Sequence, residues 1–500
     1  MGKPLITSNS RVFIIEGRAR PDHAPAYHSS LRAGALSQGF GDVERIEEPD
    51  PNQYGQFVET GEVVGANERP TTSLEGRYAL DLKSQLLRLG AQGCALDLQL
   101  HFGACQDPRQ FDEFEKIVIL EGARLTNWET EDIGALASDD NAAINESADV
   151  SAKEMYEVKP VGYGVKAAGD VTNEVLDVII CGNISCGDCE EEGDGCNKIY
   201  AITKAAGGSP STPPDVLVSR DGGATWDTPH DIESLGVAED PDAITCFGAY
   251  LVVISSVSNS LHYAALDDFD GITDPAWTEV TTGFVAGGTP NDISYVDGVA
   301  FIVGAGGYIY LCTDPTAGVA VLDAGSATPV ALRRVHALSS EFAVAVGNSG
   351  VIVFTSNGTN WAAAEHTPVG FGVDLVSLWV KSETEWWVGT STGRLYYTLN
   401  QGKTWTEKAF YGSGTGVVWD IFFSTESVGW ISHTTTAPRG RILRTYNGGY
   451  SWKVTPEGTS TLPANDRINR LGGCMFNPDF IVGVGLADDG ADGFIVIGDA

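Results

Sequence analysis

An eight-residue pattern that returns along the chain constrains the fold most. Residues 219–226 read SRDGGATW, residues 398–405 TLNQGKTW and residues 445–452 TYNGGYSW. The shared positions are Ser219, Asp221, Gly223, Thr225 and Trp226; Thr398, Asn400, Gly402, Thr404 and Trp405; and Thr445, Asn447, Gly449, Ser451 and Trp452. A copy one residue shorter, TSNGTNW, supplies Thr355, Asn357 and Trp361. Two degraded copies occupy 266–277 and 312–319. A catalytic carboxylate has no reason to recur, nor to be replaced by Asn. Asp and Asn side chains do accept backbone N–H bonds inside turns, and glycine supplies the positive φ that such turns need. The pattern therefore reads as a turn that the architecture repeats, with the Trp packing between neighbouring units.

Two further elements recur in step with it. FAVAVGNSGVIVFT (342–355), FIVGAGGYIYLCT (301–313) and WWVGTSTGRLYYT (386–398) share a strand, Gly, turn, Gly, strand scheme. Upstream of these stand seven apolar openings: VLDVIIC, DAITCF, NDISYV, RRVHAL, DLVSLW, VVWDIF and INRLGG. Each unit becomes four strands over roughly 40–50 residues, the period of a propeller blade. The expected fold is mainly β: a β-propeller over 166–500 with seven blades, six being the alternative. The last unit ends after three strands. A strand from about 155–164 is expected to complete it and close the ring, leaving no exposed edge.

With these residues in view, S-x-D-x-G-x-T-W between the third and fourth strands resembles the Asp-box of sialidases, sortilin-type receptors and photosystem II assembly-factor propellers. The resemblance covers about two-thirds of the chain. It implies a fold, and a fold hosts many functions. A sialidase would also need an arginine triad and an Arg-Ile-Pro motif. That motif is absent, and arginines cluster only at Arg333–Arg334 and at Arg439, Arg441 and Arg444. No catalytic residue and no cofactor is assigned, and the chain is expected to be no enzyme.

The net charge of −36 argues against nonspecific binding to DNA or RNA and against anionic membranes, since both need clustered Lys and Arg, and no direct sequence-specific nucleic-acid binding is expected. The opening MGKPLITSNS has no apolar core of a signal peptide. Four of the nine cysteines, Cys181, Cys186, Cys189 and Cys196, fall in CGNISCGDCEEEGDGC. A metal site, a disulfide and free thiols are all compatible with this spacing. Cys94, Cys105, Cys246, Cys312 and Cys474 read as single core residues. The acidic runs 190–195 and 487–493 read as solvated hairpin tips, lacking the ligand alternation of a calcium loop.

Residues 1–165 have another texture. Strand-like runs surround one helix candidate, 79–89, with Gly90 as its C-cap. CALDLQLHF alternates apolar with polar, as a half-buried strand does. The polar stretch 42–73 reads as a protruding hairpin or arm. In organisation this region, with WETEDIGALASDDNAAINESADVSAKEMYEVKP at 128–160, resembles the subunit of a bacteriophage tail tube: a small β-sandwich or barrel with one flanking helix and long loops. The resemblance implies a virion structural protein assembled in a host cytoplasm. It would form stacked, hexameric rings with its own copies, contact other virion proteins and display the propeller outside. Two alternatives stand beside it. A glycan-binding or sialidase-like propeller would show a funnel of clustered Arg, Trp and acidic residues at one end of its channel. An assembly-factor propeller would hold a protein partner on one face.

Overall fold

The computed structural model describes residues 11–16, 26–28, 32–33, 43–49, 57–64, 71–77, 96–103, 114–130, 145–158, 162–166, 173–180, 197–205, 213–237, 239–269, 274–369, 372–410, 412–435, 440–454, 467–474, 477, 480–486 and 493–499. The chain forms two compact units, Met1–Pro160 and Val161–Ala500. The helix candidate at 79–89, Cys94, Cys105, the cluster Cys181, Cys186, Cys189 and Cys196, and the acidic runs 190–195 and 487–492 lie outside the described residues.

In the first unit eight strands form one antiparallel sheet. The order is Ala26–His28, Arg11–Glu16, Leu96–Gly103, Phe114–Thr130, Asn145–Ser151, Thr71–Arg77 and Arg32–Ala33, with Glu154–Val158 also paired to Phe114–Thr130. The 17-residue strand serves different partners along its length. Its 117–121 stretch lies against both Leu96–Gly103 and Glu154–Val158, and its 124–130 stretch against Asn145–Ser151. Gly122, at φ +58, marks the change of partner. Leu98 and Leu100, two apart, are both fully buried, as the alternation in CALDLQLHF requires. Val43–Pro49 and Phe57–Val64 form a separate hairpin and pair only with each other among the described residues.

The second unit is a β-propeller. Its described strands make seven four-stranded antiparallel sheets. The innermost strands, in chain order, are Val175–Ile180, Ala243–Phe247, Pro290–Val296, Leu332–Ala337, Leu375–Val380, Val417–Phe423 and Arg467–Gly473. All seven apolar openings read from the sequence are these strands. Each packs on the next, and Arg467–Gly473 packs back on Val175–Ile180, so the series closes. The central strands are near-continuously apolar because sheets cover both faces: Ile199–Thr203, Ala343–Gly347 and Trp386–Thr390 are buried at every residue.

The seventh sheet is built from both ends of the unit. Arg467–Gly473, Ile481–Leu486 and Gly493–Asp499 receive Gly162–Lys166 as their outermost strand, paired from Gly162↔Asp499 to Lys166↔Ile495. The closing strand thus overlaps only the end of the 155–164 stretch expected and runs two residues past it. Glu154–Val158 is held in the first unit by its ladder to Phe114–Thr130, which leaves the glycine-flanked GYGVK free to pair. Across the same seam Arg467 is ion-paired with Glu174, and Asn469 Nδ2 donates to Glu174 Oε1 at 2.7 Å and to the Val175 carbonyl at 3.2 Å.

Cys246, Cys312 and Cys474 are fully buried, as expected of core residues. The reading of Cys246 and Cys474 as single residues is corrected, because both are disulfide-bonded. Cys312 is a free thiol, pushed up to about 11 by burial.

Candidate functional site

The recurrent turns close on themselves. Ser219 Oγ bonds Asp221 Oδ1 at 3.0 Å and accepts the Gly223 N–H at 2.8 Å. Asp221 accepts the Thr225 N–H at 2.7 Å and the Thr225 hydroxyl at 2.6 Å, which hold its carboxyl below the ordinary range. The Thr398 hydroxyl bonds Asn400 at 3.0 Å and accepts Gly402 N–H at 3.1 Å, while Asn400 Oδ1 accepts Thr404 N–H at 2.9 Å. Thr445, Asn447, Gly449 and Ser451 repeat this scheme with each of those bonds at 2.9 Å. In the shorter turn, Thr355 bonds Asn357 at 3.3 Å and Asn357 Oδ1 accepts the Asn360 N–H at 2.8 Å. Asn replaces Asp without loss because the scheme needs an acceptor oxygen and no charge.

Two of the tryptophans after these turns pack on the preceding sheet, Trp361 5.7 Å from Phe301 and Trp452 6.1 Å from Trp387. Trp405 stands 6.4 Å from Trp386 of its own sheet, and Trp226 packs against the cluster shared by the first and seventh sheets. These residues are brought together turn by turn, never with one another.

The axis of the propeller is different. At the third or fourth residue of six innermost strands a β-bulge turns a polar side chain inward. Asp177, Asp292, Arg334, Ser377, Asp420 and Arg470 occupy this position. Four of these side chains lock neighbouring sheets, whose innermost strands would otherwise present unpaired backbone groups; Ser377 Oγ donates to the Val418 carbonyl at 2.9 Å. Asp177 Oδ2 accepts the Ile244 N–H at 3.1 Å, Asp292 Oδ2 that of Val335 at 2.8 Å, and Asp420 Oδ2 that of Leu471 at 2.9 Å. Arg470 crosses the axis to join them. Its Nε lies 3.3 Å from Asp177 Oδ1, one Nη 2.6 Å from Asp292 Oδ1 and the other 4.0 Å from Asp420 Oδ1.

Burial raises the carboxyl of Asp177, and pushes that of Asp420 up to about 6 against the pull of Arg470 and Arg334. Burial also opposes the charge of Arg470, but Asp177, Asp292 and Asp420 outweigh it and hold the guanidinium above its ordinary value.

Above this charged layer is a cavity of about 590 Å³. Two residues on from the bulge, His336 and Trp379 lie with ring centroids 4.3 Å apart, and Phe422 follows 4.9 Å from Trp379. The opposite wall is small: Thr245, Ser294 and Gly472. The cavity reaches the C-terminal ends of the innermost strands at the exposed Asp297 and Leu338. Among the described residues Arg334 makes no ion pair; its Nη1 donates to the Arg333 carbonyl at 3.2 Å, while its Nε and the Nδ1 of His336 have no hydrogen-bond partner there. Burial lowers the His336 imidazole to about 4, so it is neutral at pH 7.

Apart from Arg334, noted only as one of an arginine pair, these axial residues were not singled out by the sequence motifs. The signal was present in the openings VLDVIIC, NDISYV, RRVHAL and INRLGG as Asp177, Asp292, Arg334 and Arg470, polar residues inside apolar strands. Among the described residues, no group of three or more His, Cys, Asp or Glu is arranged to hold a metal ion.

No protein-family model and no curated protein matches this chain. Solved structures similar to it include YCF48 from Cyanidioschyzon merolae, at 15% identity and a TM-score of 0.49, over 67% of this chain and 98% of that one. A structure described as YCF48 bound to D1 peptide gives 15% and 0.48, over 68% and 97%. The WD40 β-propeller domain of Doa1 gives 15% and 0.46, also over 68% and 97%.

Proposed function

We propose that the chain is a non-enzymatic structural protein of a virion. The first unit assembles copies into stacked rings in the manner of a tail tube. The second is a seven-bladed propeller of Asp-box type, carried as a surface module. The observation that carries the assembly reading is the separate hairpin Val43–Pro49/Phe57–Val64. A two-stranded hairpin is marginally stable by itself in water, so an arm of this length calls for a neighbouring surface to cover it. Another copy of the same chain supplies such a surface at every position of a ring. The non-catalytic reading is supported by the saturation of the acidic groups: turn residues bond within their turns, and axial carboxylates bond neighbouring N–H groups and Arg470.

The test is electron microscopy and sedimentation of the purified full chain over a range of concentrations. Rings or tubes are expected. A chain that stays strictly monomeric at high concentration overturns the assembly reading.

A further inference from the structure

We propose that the axial cavity of the propeller binds a small quaternary ammonium cation, of the choline type, between tilted aromatic rings and an acidic lining. This goes beyond the assembly reading and does not depend on it.

The rings come first. His336, Trp379 and Phe422 line the cavity from three successive innermost strands, each two residues past its bulge. The planes of His336 and Trp379 are inclined by 51°, and those of Trp379 and Phe422 by 66°. An angled wall of this kind suits a rounded ligand better than a flat one. A quaternary ammonium is rounded, and the electron-rich faces of aromatic rings attract its charge. Trp379 is half-buried, whereas Trp386 and Trp387 on the next strand are wholly covered. The volume of about 590 Å³ is that of a small-ligand site.

The lining carries the matching charge. Five carboxylates stand against three cations. In the layer beneath the rings, Asp177, Asp292 and Asp420 exceed Arg334 and Arg470 by one. Toward the mouth, Asp297 and Glu426 accompany Lys381, whose charge is already met by Glu385 at 3.2 Å. An anion would add to this excess and a cation offsets it. Arg334 directs Nη1 to the Arg333 carbonyl, which anchors its head group to its own strand.

The same lining selects among cations. A metal ion needs several oxygens of its own, and a primary ammonium has three N–H groups to satisfy. The Oδ2 atoms of Asp177, Asp292 and Asp420 already accept backbone N–H groups, and their Oδ1 atoms face Arg470. A quaternary ammonium donates no hydrogen bond. It takes the field of these carboxylates without needing their lone pairs. A proton competes with it, because Asp177 and Asp420 have raised carboxyls, the latter at about 6. His336, pushed down to about 4, stays neutral above about pH 5 and plays no part in that competition.

The experiment uses the full chain, calorimetry and saturation-transfer NMR. The probes are choline and tetramethylammonium, with ethanolamine as a primary ammonium and dimethylbutanol as the uncharged isostere of choline. At about pH 8 at least one quaternary cation is expected to saturate in the millimolar range. Ethanolamine and dimethylbutanol should bind at least about tenfold more weakly. At about pH 5 the quaternary cation should bind at least about threefold more weakly than at about pH 8. Trp379→Ala should weaken binding about tenfold or more. Trp379→Phe, which keeps a ring, should retain part of it and guards against loss of fold, checked by the melting curve. Trp405→Phe, outside the cavity, should leave binding unchanged. Four results each overturn the proposal: no saturation by either quaternary cation at about 50 mM, equal binding of dimethylbutanol, equal binding at the two pH values, or undiminished binding by folded Trp379→Ala.

Discussion

Replacing Arg470 by Met tests whether the axial layer holds the ring together. The side chain crosses the axis from the seventh sheet to Asp177 on the first and Asp292 on the third, at 3.3 and 2.6 Å. Asp177, Asp292 and Asp420 are 7%, 4% and 7% exposed, so removing the cation leaves three carboxylates with little water to replace it. Removing one partner of a buried ion pair costs about 3–5 kcal/mol, and in a unit of this size that lowers the melting temperature by roughly 5–10 °C. The loss has a pH signature. Asp420 has its folded pKa raised from 3.8 to about 6. A raised carboxyl contributes stability that is present below the unfolded value and lost as pH rises through the folded one. Without Arg470, which pulls against burial at Asp177 and Asp420, those two carboxyls rise further and take up protons more readily. The deficit of Arg470→Met should therefore be largest near pH 7–8 and shrink toward about pH 5. Tryptophan fluorescence reports on the right unit. Of eleven tryptophans only Trp128 precedes residue 161, so ten lie in the propeller. A deficit of the same size at pH 5 and pH 8, or a variant melting within about 2 °C of the parent at pH 7, refutes the electrostatic account and leaves packing alone.

Two other perturbations probe the repeat itself. Gly449 sits at φ +94, and an added Cβ would lie 2.3 Å from the Trp387 ring. Gly449→Ala should cost about 2–4 kcal/mol by urea unfolding, from left-handed strain plus overpacking. Gly248→Ala, also at positive φ but with open space around it, should cost about 1 kcal/mol; equal losses would count against the packing argument. Deleting Gly162–Lys166 exposes the edge of Gly493–Asp499, so light scattering should show aggregation and the propeller should melt earlier. Unchanged melting would sink the strand-closure mechanism.

The sequence alone determined the repeated unit. Spacing of Asp or Asn, Gly and Trp records a turn geometry, and local hydrogen bonds fix such a turn wherever it occurs. The seven openings were legible for a similar reason: a strand covered on both faces must be apolar, and runs such as VVWDIF announce that. The need for a closing strand could be counted from three strands in the last unit. Its position could not, because MYEVKP and GYGVK are both acceptable strands. The ladder from Glu154–Val158 to Phe114–Thr130 decides between them.

Only the tertiary structure decided the site. Asp177 and Arg470 stand 293 residues apart, and each is one polar letter inside an apolar run. They become a charged layer because the ring returns the seventh innermost strand to the first. The cavity walls likewise come from different sheets. Local sequence encodes what a few neighbouring residues can settle among themselves. The contents of the axis depend on which side chains seven separate strands aim at one line, and that exists only after the ring has closed.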